Sequence, residues 1–146
     1  MPTVFRPMEN AEDGLPVIGA SGAKLGARIG PHDNDDIAED SQGNVHPRRK
    51  GMSVNSRISE IPFYRRPEEL AYLNPLYKGS TNRKTKLYKL RDVDCVDCRI
   101  NKDLLLTITK GTHGVVAPSR IMQSLEYQAA LGATREQWEQ TPPDGS

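Results

Sequence analysis

The segment from Lys110 to Glu139 constrains the fold of this chain more than any other part of the sequence. Its beginning, 112–117, is typical of a strand, and the strand should end at Pro118. Ser119 follows at once, where a serine hydroxyl can accept a hydrogen bond from a free N–H of a first helical turn. A long amphipathic helix is predicted from there to the only tryptophan, Trp138, because apolar residues recur at three- and four-residue spacing: Met122, Leu125, Ala129 and Ala133.

Short strands are predicted across the rest of the chain, separated by glycine and proline. The clearest are 3–6, which Pro7 should end, 52–55, and 104–109 with its β-branched residues. Short strands followed by one long C-terminal helix predict an α+β fold. A length of 146 residues favours a single domain, which we place at 1–140, with 141–146 as a flexible tail.

Composition and charge exclude several functional classes. The formal net charge is +1 at pH 7, so the strong positive charge of a dedicated nucleic-acid binder is missing. No apolar run reaches the length of a membrane span, and the N-terminus lacks the apolar stretch of a signal peptide. We therefore expect a cytoplasmic protein without membrane contact. Cys95 and Cys98 lack the second pair of ligands that a structural zinc needs, so neither zinc nor a structural disulfide is expected.

Three polar residues at strand positions are candidates for binding or catalysis. Ser53, two residues after Gly51, is either a strand serine bonded to backbone or a hydroxyl that holds a ligand. A serine hydrolase is disfavoured because the chain has no Gly-x-Ser-x-Gly motif. His113 is either a structural histidine or a hydrogen-bond donor to a ribose or phosphate oxygen. Arg6 is either a surface residue of an edge strand or a cleft residue with a carboxylate or phosphate partner.

The run from Lys78 to Arg91 holds six basic residues and no acidic one. A solvated basic loop is one explanation for it. Contact with nucleic acid or another anionic partner is the other explanation, and Tyr88 within the run offers a ring for stacking.

Several short motifs follow one another in order along the chain. They are Phe5-Arg6, then Gly51-Met52-Ser53-Val54, then Thr112-His113 followed by Pro118, and finally Arg135 with Gln137-Trp138-Glu139. In this ordered set the chain resembles the small ADP-ribosyltransferase-like toxins delivered by type VI secretion, which form an NAD-dependent growth-arrest family. It also resembles a broader group of uncharacterised microbial proteins in its Gly-Leu-Pro-Val, Gly-Met-Ser-Val and His-Gly-Val-Val-Ala-Pro segments.

The resemblance implies a small split β-sheet around a cleft for NAD, which such toxins use as a substrate. Arg6 would grip the ribose or pyrophosphate, Gly51 and Ser53 would line the nicotinamide side, and Ser53 and His113 would be the catalytic candidates. The implied activity is ADP-ribosyl transfer or NAD cleavage in the cytoplasm of a target cell, which the toxin would reach without a cleavable signal peptide. An immunity protein and a protein or nucleic-acid target are the implied partners.

One departure from the toxin pattern supports an alternative function. No Glu-x-Glu or Gln-x-Glu motif stands on a predicted late strand, and Glu139 is expected at the end of a helix. A carboxylate on a late strand would stabilise the positive charge that builds on the ribose. The alternative is a non-catalytic interaction protein on the same scaffold, which binds an anionic partner through the basic run.

Overall fold

The structure is a computed structural model of the chain, and it describes residues 3–30, 35–47, 50–61, 66–67, 85–90 and 99–142. Cys95 and Cys98 lie outside the described residues. Most of the basic run lies outside them too, and only its residues 85–90 are described. What the sequence predicts for zinc, for the disulfide and for the basic run therefore stays a prediction.

Within these ranges the chain forms eight strands and one α-helix. The helix is α1 (Ser124–Gly132), and short 3₁₀ helices lie at Ile58–Glu60 and Arg135–Gln137. The α+β class predicted from the sequence is confirmed. The strands are β1 (Val4–Glu9), β2 (Asn44–Val45), β3 (Met52–Asn55), β4 (Thr85–Leu90), β5 (Leu104–Lys110), β6 (His113–Pro118), β7 (Met122–Gln123) and β8 (Trp138–Gln140).

Six of the strands form one sheet in the order β5-β6-β3-β1-β4-β8, and each neighbouring pair in it is antiparallel. β2 and β7 form a separate two-stranded ladder. The central contact of the large sheet is its shortest: β1 pairs with β3 only at Phe5 and Asn55, whereas its pairing with β4 runs from Val4 to Glu9. The sheet therefore consists of two three-stranded halves, β5-β6-β3 and β1-β4-β8, joined at one point.

The main hydrophobic core lies on one face of this sheet. Side chains alternate between the two faces along each strand, and the core takes those in phase with Val4 on β1 and Met52 on β3. Helix α1 and residues from 25–30 and 35–45 cover this face. Their buried side chains are Leu25, Ala27, Ile37, Val45, Tyr127, Ala130 and Leu131. The opposite face carries a smaller cluster of Ile61 and Leu87, with Phe5 and Ile58 packed against them.

The predicted helix from Ser119 to Trp138 is wrong in its length. Ser119 lies before the helix, where its hydroxyl donates to a loop carbonyl, and α1 has only nine residues. Met122 pairs instead with Val45 in the β2–β7 ladder, because pairing with a distant strand can override local helix propensity. After a 3₁₀ turn, Trp138 pairs with β4 and starts strand β8.

The predicted apolar stripe of the helix is also wrong. Leu125 is 84% exposed, and Ala129 and Ala133 are exposed as well. The buried face is formed by Tyr127, Ala130 and Leu131. Tyr127 anchors this orientation because its hydroxyl enters the sheet, where it donates to the Val116 carbonyl of β6 and accepts the Met52 N–H of β3 at 3.1 Å.

The prediction that Pro7 ends the first strand is also wrong. β1 continues through Pro7 to Glu9, and Pro7 pairs with Leu87 of β4. Proline has no N–H to donate to a ladder. The strand tolerates it because the pairing of β1 with β3 is limited to Phe5 and does not extend to Pro7.

Candidate functional site

Ser53 and His113 project from the same face of the sheet, on the neighbouring strands β3 and β6. In the β3–β6 register, Ser53 lies opposite Val115, and Asn55 lies opposite His113. Directly opposed residues share a face, and so do alternate residues of one strand. Ser53, Asn55 and His113 therefore form one polar group of side chains, which we name the β3–β6 cluster. The Cβ atoms of the opposed pair, Asn55 and His113, are about 5 Å apart in such a register.

Asn55 is the member of this cluster that the sequence analysis missed. It is 4% exposed, and its side-chain amide forms no hydrogen bond with any residue that the structure describes. Buried polar atoms of side chains nearly always have a partner, and an unpaired one costs about 1–3 kcal/mol. The signal for Asn55 was present in the run Met52-Ser53-Val54-Asn55, since strand alternation puts Asn55 in phase with Ser53.

The backbone carbonyl and the side-chain hydroxyl of Ser53 differ in their hydrogen bonding. Its backbone carbonyl accepts a hydrogen bond from Arg6 Nη1 at 2.6 Å. Its side chain is half-buried, and its hydroxyl forms no hydrogen bond within the described ranges. Ser53 is therefore held through its backbone and retains the hydrogen-bonding capacity of its Oγ.

A β-bulge fixes the imidazole of His113. The register between β5 and β6 shifts so that Ile108 pairs with Gly114 while Lys110 pairs with His113. This shift leaves Thr109 as the extra residue of the bulge. Bulges can re-aim a side chain, and here the Thr109 hydroxyl lies 2.6 Å from His113 Nδ1. The ring is thus held at its Nδ1 edge, with Nε2 on the other edge.

Arg6 lies on the opposite face of the sheet from the cluster. Its neighbour Phe5 is opposite Asn55, so Phe5 shares the face of the cluster and Arg6 points to the core side. Arg6 is 1% exposed. The three predicted site residues therefore do not converge on one side of the sheet. The guanidinium donates to the carbonyls of Ser53, Ser21, Lys24 and Gly26, at 2.6, 3.2, 2.9 and 3.4 Å.

The dipeptide Arg6-Pro7 explains why an arginine is buried at this point. Continuing the Phe5–Asn55 register by two residues would place Pro7 opposite Ser53. Pro7 has no N–H, so the Ser53 carbonyl lacks a ladder donor from β1, and the Arg6 guanidinium supplies one. Because the same group also bonds the segment 21–26, Arg6 is a cross-link between that segment and β3.

Gly51 makes room for Tyr127 at the start of β3. Its φ is +154°, and a Cβ there would lie 2.3 Å from the Val116 carbonyl oxygen and 2.8 Å from the Tyr127 hydroxyl. Burial raises the pKa of the Tyr127 phenol, so the hydroxyl stays protonated and donates to Val116. Gly51 therefore has a packing function beside the strand that carries Ser53.

A hydrophobic cover lies beside the cluster on the same face. It is the small group of Phe5, Ile58, Ile61 and Leu87, which closes the β1–β4 half of this face. Ser53 and His113 stand on the β3–β6 half and are half-buried. A ligand bound at the cluster would therefore border the aromatic ring of Phe5.

Glu139 lies on strand β8 and not at the end of a helix, which corrects the expectation from the sequence. It is opposite Lys89, Lys89 is opposite Phe5, and Phe5 is opposite Asn55, so these side chains form one row across the face of the cluster. β8 is three strands away from β3. At about 4.8 Å between strands, the separation is roughly 14 Å. Glu139 and Asn55 are too far apart to contact the same reacting atoms.

Comparison with known proteins assigns no family to the chain: no protein-family model matches it, and no curated protein matches it. In the part that the structure describes, no helix has the length and apolar character that a bilayer crossing requires. The described residues also include no group of three His, Cys, Asp or Glu side chains placed to hold a metal ion. The β3–β6 cluster offers one hydroxyl, one carboxamide and one imidazole as hydrogen-bonding groups.

Proposed function

We propose that the β3–β6 cluster binds NAD, and that the protein is a toxin domain that uses NAD in the cytoplasm of a target cell, by ADP-ribosyl transfer or by NAD cleavage. The observation that carries this proposal is the position of Ser53 and His113 on one face of neighbouring strands, next to Asn55, whose amide forms no hydrogen bond with the residues that the structure describes. The resemblance of Gly51–Val54 and Thr112–His113 to the toxin motifs selects NAD among ligands with many hydrogen-bonding groups.

The residue types of the cluster suit the chemistry of NAD. Cleavage of the bond between nicotinamide and ribose builds positive charge on the sugar, so it needs an oriented nicotinamide and a fixed ribose more than a strong nucleophile. The Ser53 hydroxyl can exchange a hydrogen bond with the carboxamide of nicotinamide. The imidazole of His113, which the Thr109 hydroxyl contacts at Nδ1, is of the residue type that bonds a ribose hydroxyl or a phosphate oxygen. Together these contacts would orient the bond that breaks.

The division of the sheet supports the ADP-ribosyltransferase-like part of the proposal. Its two halves meet only at Phe5 and Asn55, and a sheet divided in this way fits the split β-sheet that the resemblance implies. The cluster lies beside this junction. We give Arg6 a function in the stability of the fold and no contact with the ligand, because its guanidinium bonds the carbonyl of Ser53 from the core side.

Induced expression in bacteria tests the proposal. We expect the wild-type chain to slow growth, and Ser53→Ala to restore it with an unchanged thermal midpoint. One lost hydrogen bond to a bound ligand costs on the order of 1 kcal/mol, and more where the contact strengthens in the transition state. Ser41→Ala, at an exposed turn, is the matched control and should remain toxic. A wild-type chain that is harmless in several hosts and leaves cellular NAD unchanged would contradict the proposal.

A non-catalytic interaction protein is the second candidate function. The separation of roughly 14 Å between Glu139 and Asn55 favours it, because the carboxylate of β8 is then too far away to stabilise charge at the cluster. Incubating the purified chain with NAD and measuring released nicotinamide separates the two functions. Release supports the enzyme, whereas binding of a polyanion such as heparin without any release supports the interaction protein.

A further inference from the structure

The unpaired amide of Asn55 is a feature that the packing of the described residues does not explain. Asn55 is 4% exposed and stands on the face of Ser53 and His113. No residue in the described ranges forms a hydrogen bond with its side chain. A carboxamide can donate from its NH₂ group and accept at its oxygen. Among the described residues, neither the donor nor the acceptor of Asn55 has a hydrogen-bond partner.

A carboxamide is complementary to another amide, because its donor and its acceptor stand side by side. Gln128 uses both groups of its carboxamide within the same protein, on the backbone N–H and carbonyl of one residue. Its Oε1 accepts the Ala27 N–H at 3.0 Å, and its Nε2 donates to the Ala27 carbonyl at 2.5 Å. Asn55 carries the same functional group beside the half-buried Ser53, with no partner in the described part of the chain.

Asn55 has apolar neighbours on this face of the sheet. Phe5 is opposite Asn55 on β1, and Val115, which is 5% exposed, lies diagonally across on β6. An aromatic ring packs well against such neighbours, while a polar group on the ring can still meet the amide. The Ser53 hydroxyl, two residues along the same face, offers a second hydrogen bond to the same polar group.

We infer that Asn55 is a binding residue that pairs with the carboxamide of the nicotinamide moiety of NAD. This inference rests on the proposed function and deepens it, because it assigns a part of the ligand to a part of the cluster. Asn55 and Ser53 recognise the nicotinamide amide, and His113 lies on the neighbouring strand, on the side that we assign to the ribose. Asn55 then determines specificity for the nicotinamide end of the ligand.

Two substitutions in the purified chain test this assignment. Asn55→Leu keeps the approximate size of the side chain and removes both hydrogen-bonding groups, and Asn55→Ala repeats the comparison with a smaller side chain. Because Asn55→Leu removes no hydrogen bond to any described residue, the ligand-free variant should unfold in urea at the wild-type midpoint or above it. By calorimetry, its affinity for NAD and for nicotinamide should fall by roughly tenfold or more, while its affinity for ADP-ribose should stay within about twofold.

Asn101→Leu is the matched control for an asparagine that has partners. Its Oδ1 accepts the N–H groups of Asp103 and Leu104, at 2.8 and 3.1 Å. Removing this acceptor should lower the urea midpoint and leave the affinity for NAD unchanged. Comparing the urea midpoints and NAD affinities of the two leucine variants therefore distinguishes an amide that stabilises the fold from an amide that binds a ligand.

Several results would overturn the inference. A urea midpoint that falls for Asn55→Leu as it does for Asn101→Leu would show that the amide is bonded within the protein. An affinity for ADP-ribose that falls as much as that for NAD would place Asn55 at the adenine or the sugar. If NAD binding depends on Ser53 but not on Asn55, only this inference fails; if the wild-type chain binds neither NAD nor nicotinamide, the proposed function fails with it.

Discussion

We expect Arg6→Met to weaken the fold strongly while leaving the site able to bind its ligand. The guanidinium lies on the core side of the sheet, is 1% exposed, and bonds carbonyls of β3 and of the segment 21–26. Methionine is unbranched and flexible, so it can fill much of the same space, but it has no donor for these oxygens.

The size of the effect follows from the carbonyls that lose their partner. Those of Ser21 and Lys24 are partly buried, so water can replace the guanidinium there. The contact with the Ser53 carbonyl is also partly buried, but this carbonyl has no ladder donor at Pro7. The contact with the Gly26 carbonyl is buried. Two orphaned carbonyls at about 1–3 kcal/mol each, offset in part because a buried charge is removed, give a loss of about 3 kcal/mol. At about 2–4 °C per kcal/mol, the Tm should fall by roughly 6–12 °C.

Thermal and urea unfolding of the wild type, Arg6→Met and Arg120→Met measure this difference. Arg120 bonds Asp103 and Glu126, but its side chain is 49% exposed, and exposed ion pairs contribute at most about 1 kcal/mol. Folded Arg6→Met should bind NAD with near wild-type affinity at low temperature. An Arg6→Met variant with the wild-type Tm and no affinity for NAD would refute the cross-link and show that Arg6 grips the ligand.

Two further predictions concern Gly51 and Asp13. Gly51→Ala should lower the free energy of unfolding by about 2 kcal/mol or more, because the new Cβ would lie 2.3 Å from the Val116 carbonyl oxygen; an unchanged urea midpoint would show that β3 can move aside. Hydrogen bonding to Arg135 lowers the pKa of Asp13 below its ordinary value of 3.8. The pair should therefore stabilise the fold fully above about pH 3.8 and lose this effect as the pH falls through the folded pKa. Asp13→Asn should flatten that part of the acid unfolding curve, and a curve identical to the wild type would refute the contribution.

The candidate site was partly predictable from the sequence. Ser53 and Asn55 are two residues apart in a strand-like run, so their common face follows from the period of a strand. That His113 joins them depends on the register between β3 and β6, and no local pattern specifies a register. Thr109 reaches His113 through a bulge, which is likewise a property of the paired strands.

The helix shows the opposite case, in which a local pattern was misleading. Met122 and Leu125 have helical spacing, but Met122 belongs to β7 and is buried against β2, while Leu125 is 84% exposed. The buried face of the helix is the one that carries Tyr127. Its hydroxyl can bond only where it reaches the Met52 N–H of β3 and the Val116 carbonyl of β6. Spacing indicates which residues share a face of a helix, but the neighbours decide which face is covered.

The sequence by itself determined the α+β class, several of the strands and the shared face of Ser53 and Asn55 on β3, because hydrophobic spacing, β-branched content and strand alternation act over a few residues. Only the tertiary structure decided that Arg6 lies on the opposite face of the sheet from the Ser53 side chain, that Glu139 lies on a strand, and that the Asn55 amide is buried without a partner among the described residues. Each of these outcomes depends on contacts between segments that are distant in sequence. These contacts depend on the register of β1 with β3 and of β8 with β4. A local sequence pattern does not specify such a register.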